Sequence, residues 1–308
     1  MNCRMAPVLA VLLGALIFGN FSTVLFAGTP AQDIAAKVRY YNEQGMVFRR
    51  NGNQEEAVRS FTKAIELDPR NAESYSHRAM SYGGGQVGAY DRALADINRA
   101  IELAPRVGEY YFTRALIYER KESYTILWED VRKAGSLGFE APPEILADLK
   151  KSSAQYYNNR GFALAREGKT EAAIADYAEA IAMTPEAVLP YANRGNAYLD
   201  MRRYDDAIAD YQRALKLEPA NEKIQHDLGL AYLGKGDLDR ALVCFDKAIK
   251  GNPPVAQLGQ FFNDRAVAYF GKKNYNKSWK DLHQAVKLGY KVHPGFLKAL
   301  KQDSKRES

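Results

Sequence analysis

The sequence predicts an all-α chain, a row of helical hairpins stacked on one another, and three observations carry that prediction. First, residues 188–253 lie on themselves at a shift of 34 without a gap: Gly195 meets Gly229, Tyr198 Tyr232, Ala207 Ala241, Tyr211 Phe245, Ala214 Ala248 and Pro219 Pro253. Shifted 34 the other way, Tyr157, Gly161, Ala173, Tyr177, Ala180 and Pro185 fall on the same places. Second, apolar and small residues recur at three- and four-residue steps through two segments of about 12–14 residues per period, which is helical spacing. Third, a polar or glycine turn such as Gly234-Lys235-Gly236-Asp237 parts the two segments, and a proline stops the second. Gly161, Gly195 and Gly229 are expected to face Ala173, Ala207 and Ala241, letting the two axes approach closely. One hairpin cannot bury its apolar side alone, so it must stack on the next.

This arrangement of glycine, aromatics, alanines and closing proline resembles the tetratricopeptide repeat. The resemblance implies a right-handed superhelical solenoid with a concave groove that holds peptides or other proteins. It places the first helix of each hairpin along that groove.

Taken in order, the chain opens with residues 1–27, which read as a secretory signal: Arg4, an apolar run from Val8 to Phe18, and a cleavage site near Ala27. The rival reading is an uncleaved anchor, since residues 8–26 approach the length that spans a bilayer. Cys3 precedes the apolar run and is not placed for lipid attachment. With cleavage, Cys244 is the one cysteine left, which excludes an intramolecular disulfide and a cysteine metal cluster. The protein is therefore expected to be exported, periplasmic or secreted, with membrane anchoring as the alternative.

Residues 33–151 form the expected first lobe, three hairpins and a cap helix. The first hairpin runs through Tyr41, Gly45, Phe48, Ala57, Phe61, Ala64 and Pro69; the second through Tyr75, Ala79, Tyr82, Ala93, Ala100 and Pro105, with two extra residues around Gly83-Gly84-Gly85. The third uses Tyr111, Ala115, Tyr118 and Ala134 and ends in Leu137-Gly138-Phe139 instead of a proline. That ending recurs: residues 128–151 match residues 279–302 at a shift of 151, pairing Trp128 with Trp279, Gly138 with Gly289, Phe139 with Tyr290 and Pro143 with Pro294. In both copies a proline begins a short amphipathic helix, expected to cover the open end of a stack. Residues 152–303 are then a second lobe of four hairpins plus cap, giving about seven hairpins in all, and 304–308 a basic tail.

Five arginines share one place in the first helix: Arg78, Arg114, Arg160, Arg194 and Arg265. Each has an aspartate sixteen or eighteen residues on, namely Asp96, Asp130, Asp176, Asp210 and Asp281. The two hairpins without the arginine lack the aspartate as well, having Gln44 with Ser60 and Leu228 with Cys244. Joint loss is what a direct contact predicts, because an unpaired buried charge is costly while an apolar pair is tolerated. These are therefore expected to be structural ion pairs and not a ladder for acidic ligands. Tyr82, Tyr118, Tyr198, Tyr232 and Tyr269 read as packing residues, and Cys244 as a small apolar filler.

The resemblance implies as groove candidates Asn42, Asn158, Asn159, Phe162, Asn193, Asn196, Asn263 and Asp264. An asparagine amide donates and accepts, so a row of them can hold an extended peptide backbone whatever its sequence. Asn159 and Asn193, one period apart, would be consecutive rungs; the plainer reading is a solvated helix face. Some family members clamp the acidic carboxy-terminus of heat-shock chaperones with lysine and asparagine. Here only Asn196 stands at the matching asparagine place and Ala192 replaces the lysine, so such chaperones are not the expected partner.

Catalysis, metal and cofactor are not expected. His77, His226, His283 and His293 are scattered without metalloprotease spacing, and there is no phosphate loop or nucleophile elbow. Formal net charge is +6, and residues 247–308 carry thirteen basic against four acidic side chains. That basic end suggests a second role, attachment to an anionic membrane or envelope polymer; nucleic acid is the poorer reading for an exported chain.

Overall fold

The computed structural model describes residues 30–83 and 89–305, so the signal or anchor segment, the Gly84–Gly85 part of the long turn and Arg306 lie outside the described residues. The described residues form fifteen helices and no strand. They divide into two compact units, one ending at Leu149 and one beginning at Lys150.

The first unit holds α1 (Pro30–Arg50), α2 (Gln54–Leu67), α3 (Ala72–Gly83), α4 (Tyr90–Leu103), α5 (Gly108–Arg120), α6 (Tyr124–Ser136) and the start of α7 (Pro143–Arg166). In it α1 packs on α2, α3 on α4 and α5 on α6, and α2 and α4 also pack on the helices that follow them. The second unit holds the rest of α7, then α8 (Thr170–Met183), α9 (Val188–Asp200), α10 (Tyr204–Leu217), α11 (Glu222–Lys235), α12 (Leu238–Lys250), α13 (Val255–Gly271), α14 (Tyr275–Lys287) and α15 (Pro294–Ser304). Here α9 packs on α10, α11 on α12 and α13 on α14, while α15 lies against α14.

The turns inside the six hairpins whose turns are described share one form. Gly52, Glu122, Gly168, Arg202, Gly236 and Lys273 all have positive φ, between 55° and 86°. The next residue's N–H reaches back five residues, as from Asn53 to the Phe48 carbonyl and from Arg203 to the Tyr198 carbonyl. This pair of features is the left-handed cap that satisfies a helix's last carbonyls. Glycine takes the conformation freely, whereas Glu122, Arg202 and Lys273 hold it at a steric cost. The endings of α6 and α14 repeat it at Gly138 and Gly289, with Phe139 N–H bonded to Ala134 O and Tyr290 N–H to Ala285 O.

In four hairpins the core is an aromatic on the second helix inserted beside alanines. Phe61, Tyr177, Tyr211 and Phe245 are at most 2 % exposed, among Ala57, Ala64, Ala173, Ala180, Ala207, Ala214, Ala241 and Ala248, all fully buried. The glycines have a nearer neighbour than the alanines they were expected to face. A Cβ on Gly195 would lie 2.7 Å from the Tyr211 ring, one on Gly229 2.6 Å from Phe245, and one on Gly161 2.8 Å from Tyr177. The atoms nearest the added Cβ belong to the ring one turn beyond the alanine, and at Gly161 the Ala173 carbonyl also lies 3.2 Å away.

The cap helix expected at 143–151 is not a separate element, because α7 runs unbroken to Arg166. Residues 147–156 contain no proline or glycine to stop it. Cap and first helix of the next hairpin are therefore one helix. At the other end α15 begins at Pro294 and buries Leu300 in a cluster with Ala266, Trp279 and Leu282.

Candidate functional site: the first-helix face of residues 150–308

The geometry first removes the arginines from the ligand-binding candidates. Each forks onto an aspartate of its own hairpin with two bonds: Arg78 to Asp96 at 2.7 and 2.8 Å, Arg114 to Asp130 at 2.7 Å, Arg160 to Asp176 at 2.6 Å, Arg194 to Asp210 at 2.8 Å, and Arg265 to Asp281 at 2.7 Å. Three reach further, to the second helix of the preceding hairpin: Arg78 to Thr62, Arg114 to Asn98 and Arg265 to Asp246. The hydrogen bond to its aspartate raises the pKa of Arg194 against the opposing effect of burial. A planar fork matched to a carboxylate is the strongest form of such a pair. The aspartates are buried, so these groups are committed to the fold.

The asparagines are placed differently from one another. Asn193 of α9 donates through Nδ2 to Asn158 Oδ1 of α7 at 2.9 Å, joining the first helices of adjacent hairpins. Asn159 is exposed, and Phe162 stands 53 % exposed one turn on. Asn196 accepts the Tyr211 hydroxyl at 2.7 Å, which uses its oxygen and leaves its amino group. Asn263 donates to Asp264 Oδ1 at 3.0 Å while its own carbonyl oxygen is buried without a partner. Asn42 does not share this surface: it belongs to the first unit, is 5 % exposed, and its oxygen accepts the Ser74 hydroxyl at 2.9 Å. A short serine in the neighbouring helix lets α3 close over it, which rules it out as a groove contact.

The structure adds a group that the sequence reading set aside as a scattered histidine. His226 of α11 is 2 % exposed, with Nε2 2.9 Å from Asp264 Oδ2 of α13 and Nδ1 3.3 Å from Asp227 Oδ1. Lys223 donates to the other oxygen of Asp227 at 2.8 Å. A signal for it was present: at the shift of 34, Asn159 and Asn193 are followed by Asp227, and Asp264 likewise precedes the arginine place of its hairpin. The same place thus bears amides in two hairpins and carboxylates in the next two. Asn193 reaching Asn158, and Asp264 reaching His226, are the same contact made with different chemistry.

Among the described residues no group of three or more His, Cys, Asp or Glu is placed to hold a metal ion. No helix among them is long and apolar enough to cross a membrane. Burial pushes the Cys244 thiol above its ordinary pKa, which disfavours the nucleophilic thiolate.

Compared with known proteins, the sequence matches models described as tetratricopeptide repeat at residues 188–221 and 222–254, and as TPR repeat at 45–84 and 163–202. Comparison with curated proteins gives no match. Among solved structures it is similar to MamA, at 21% identity over 70% of this chain and 92% of that one, with a TM-score of 0.29. It is also similar to PilF of Pseudomonas aeruginosa, at 15% identity over 89% of this chain and all of that one, TM-score 0.40. A third is the TPR2AB domain of yeast Sti1, at 18% identity over 79% and 99%, TM-score 0.38. At these values the likenesses carry no argument about function.

Proposed function

We propose, from the premise that this chain belongs to the tetratricopeptide-repeat family, that it is a non-enzymatic scaffold holding a peptide or protein partner along the first helices of residues 150–308. The observation that carries this reading is the state of the polar groups there. Arg160 and Arg194 are satisfied within their own hairpins, while the exposed Asn159 and the linked Asn158 and Asn193 keep amide donors and acceptors. An extended peptide offers one N–H and one C=O per residue, the complement of such a row. Phe162 beside it supplies an apolar contact for a partner side chain. The asparagines, Phe162 and Asp264 are the binding residues of this reading, without Asn42.

The compartment belongs to the same proposal. Residues 1–27 would direct export to the periplasm or outside the cell, or tether the chain if retained, and the partner would be met there. A second reading rests on the charge of residues 247–308, where Lys272, Lys273, Lys277, Lys280, Lys287 and Lys291 lie close in sequence. In that reading the basic end holds the protein against an anionic lipid or envelope surface.

Salt separates the two. Capture of a partner by the wild-type chain should persist at raised ionic strength and fall in the Asn159→Ala, Asn193→Ala double variant. Binding to anionic vesicles that disappears in salt, with partner capture unaffected by the double variant, would favour the surface reading instead.

A further inference from the structure

His226 lies at the seam between α11 and α13. Its ring is stacked on Phe261, centroids 4.1 Å and planes 11° apart, and the Phe245 ring of α12 closes another side at 5.4 Å. Both ring nitrogens face carboxylate oxygens, Nε2 that of Asp264 and Nδ1 that of Asp227. An ionised carboxylate only accepts hydrogen bonds. A neutral imidazole has one N–H, so it satisfies one carboxylate and turns a lone pair toward the other. Only the imidazolium donates to both.

We propose that His226 is a proton-operated latch, which ties α13 to α11 through a charge-assisted bond to Asp264 when charged and loosens α13 when neutral. That a loosened Asp264 becomes available to a bound peptide rests on the groove reading; the latch itself does not.

The surroundings determine which side opens. Lys223 keeps a cation on Asp227 after His226 loses its proton, whereas Asp264 retains the Asn263 amide at 3.0 Å. Arg265, next to Asp264, is occupied by Asp281 and Asp246. Tyr211 and Tyr290 are raised in pKa by burial and further by the fields of Asp227 and Asp264 respectively, so both stay neutral where a histidine titrates. Deprotonation removes the cation from between the two carboxylates, and Asp227 keeps Lys223 in its place while Asp264 has no other free cation among the described residues, so the contact between helices weakens from a charge-assisted bond to a neutral one. Burial alone would lower the His226 pKa, and the bonds to Asp227 and Asp264 outweigh it, so the net direction is upward from 6.5. With a raised folded-state pKa, the latch contributes fully below the ordinary histidine value and is lost as pH rises through the folded one.

The test is an NMR titration of the imidazoles in the full chain, with amide-exchange protection of α13 followed over the same range. The latch predicts that His226 titrates above 6.5, that α13 protection falls in step with it, and that Asp264→Asn lowers the transition and removes the α13 step. Titration at or below the ordinary value, or α13 protection indifferent to it, would overturn the proposal. The wild-type titration decides this even if Asp264→Asn fails to fold. Partner capture unchanged in the Asn159→Ala, Asn193→Ala double variant, with the titration intact, would sink the groove reading and leave the latch standing.

Discussion

Replacing Asp210 with alanine is the sharpest perturbation of the packing scheme. Arg194 then loses the two bonds it makes through Nε and Nη2 at 2.8 Å, while its side chain is 20% exposed and that of Asp210 8%. Removing one member of a fully buried pair costs about 3–5 kcal/mol, and the water still reaching Arg194 puts the expectation at about 2–3 kcal/mol. Asp176→Ala should cost less, about 1–2 kcal/mol, because Arg160 is 43% exposed. The chain carries its own alternative one hairpin later, where Leu228 and Cys244, each 5% exposed, occupy the same two places. Arg194→Leu with Asp210→Cys should therefore recover more than half of the single-variant loss. Urea unfolding followed by circular dichroism, with amide exchange in α10 as a local readout, completes the double-mutant cycle. Losses that add in the double variant would refute a direct pair.

The other perturbations test separate links. Arg202→Gly should raise stability by roughly 0.5–1 kcal/mol, since Arg202 is exposed and holds φ at 58°; a loss on thermal unfolding would contradict the strained-cap account. Gly195→Ala should destabilise by about 1–3 kcal/mol because its Cβ would meet Tyr211 at 2.7 Å. Gly135→Ala, with nothing within 4 Å in α6, should gain up to about 1 kcal/mol, and the contrast in melting temperature checks both. Acid unfolding should involve Asp227: burial raises its pKa, His226 and Lys223 lower it further, and the net direction is down from 3.8. Its contribution is therefore present above that value and lost as pH falls through the depressed one, and Asp227→Asn should flatten the stability profile there.

The hairpin period was legible because it is written in residue types with few substitutes: a glycine where a ring must enter, alanines where axes approach, a proline where a helix ends. Which neighbour fills the glycine's gap was not, since Ala207 and Tyr211 lie one turn apart on the same face and both recur with the period. The arginine and aspartate pairs were visible through their joint absence at Gln44 with Ser60 and Leu228 with Cys244. The continuity of α7 was left open because Pro143 marks a helix start while residues 144–160 hold no proline or glycine to mark where a cap helix would stop. His226 was passed over because its meaning depends on Asp264, 38 residues away in a hairpin whose spacing departs from 34. Likewise, the burial of Asn42 follows from Ser74 in the neighbouring helix, which no pattern within one hairpin reveals.

A photo-reactive residue placed in turn at Asn159, Phe162, Val243 and Val286 gives the most direct test of the scaffold account. The first two lie on a first helix; Val243 and Val286 are exposed on the second helices α12 and α14. The account predicts a discrete cross-linked partner from Asn159 and Phe162 that survives raised salt, and none from Val243 or Val286. Equal cross-linking from all four positions, or adducts that vanish in salt, would contradict it.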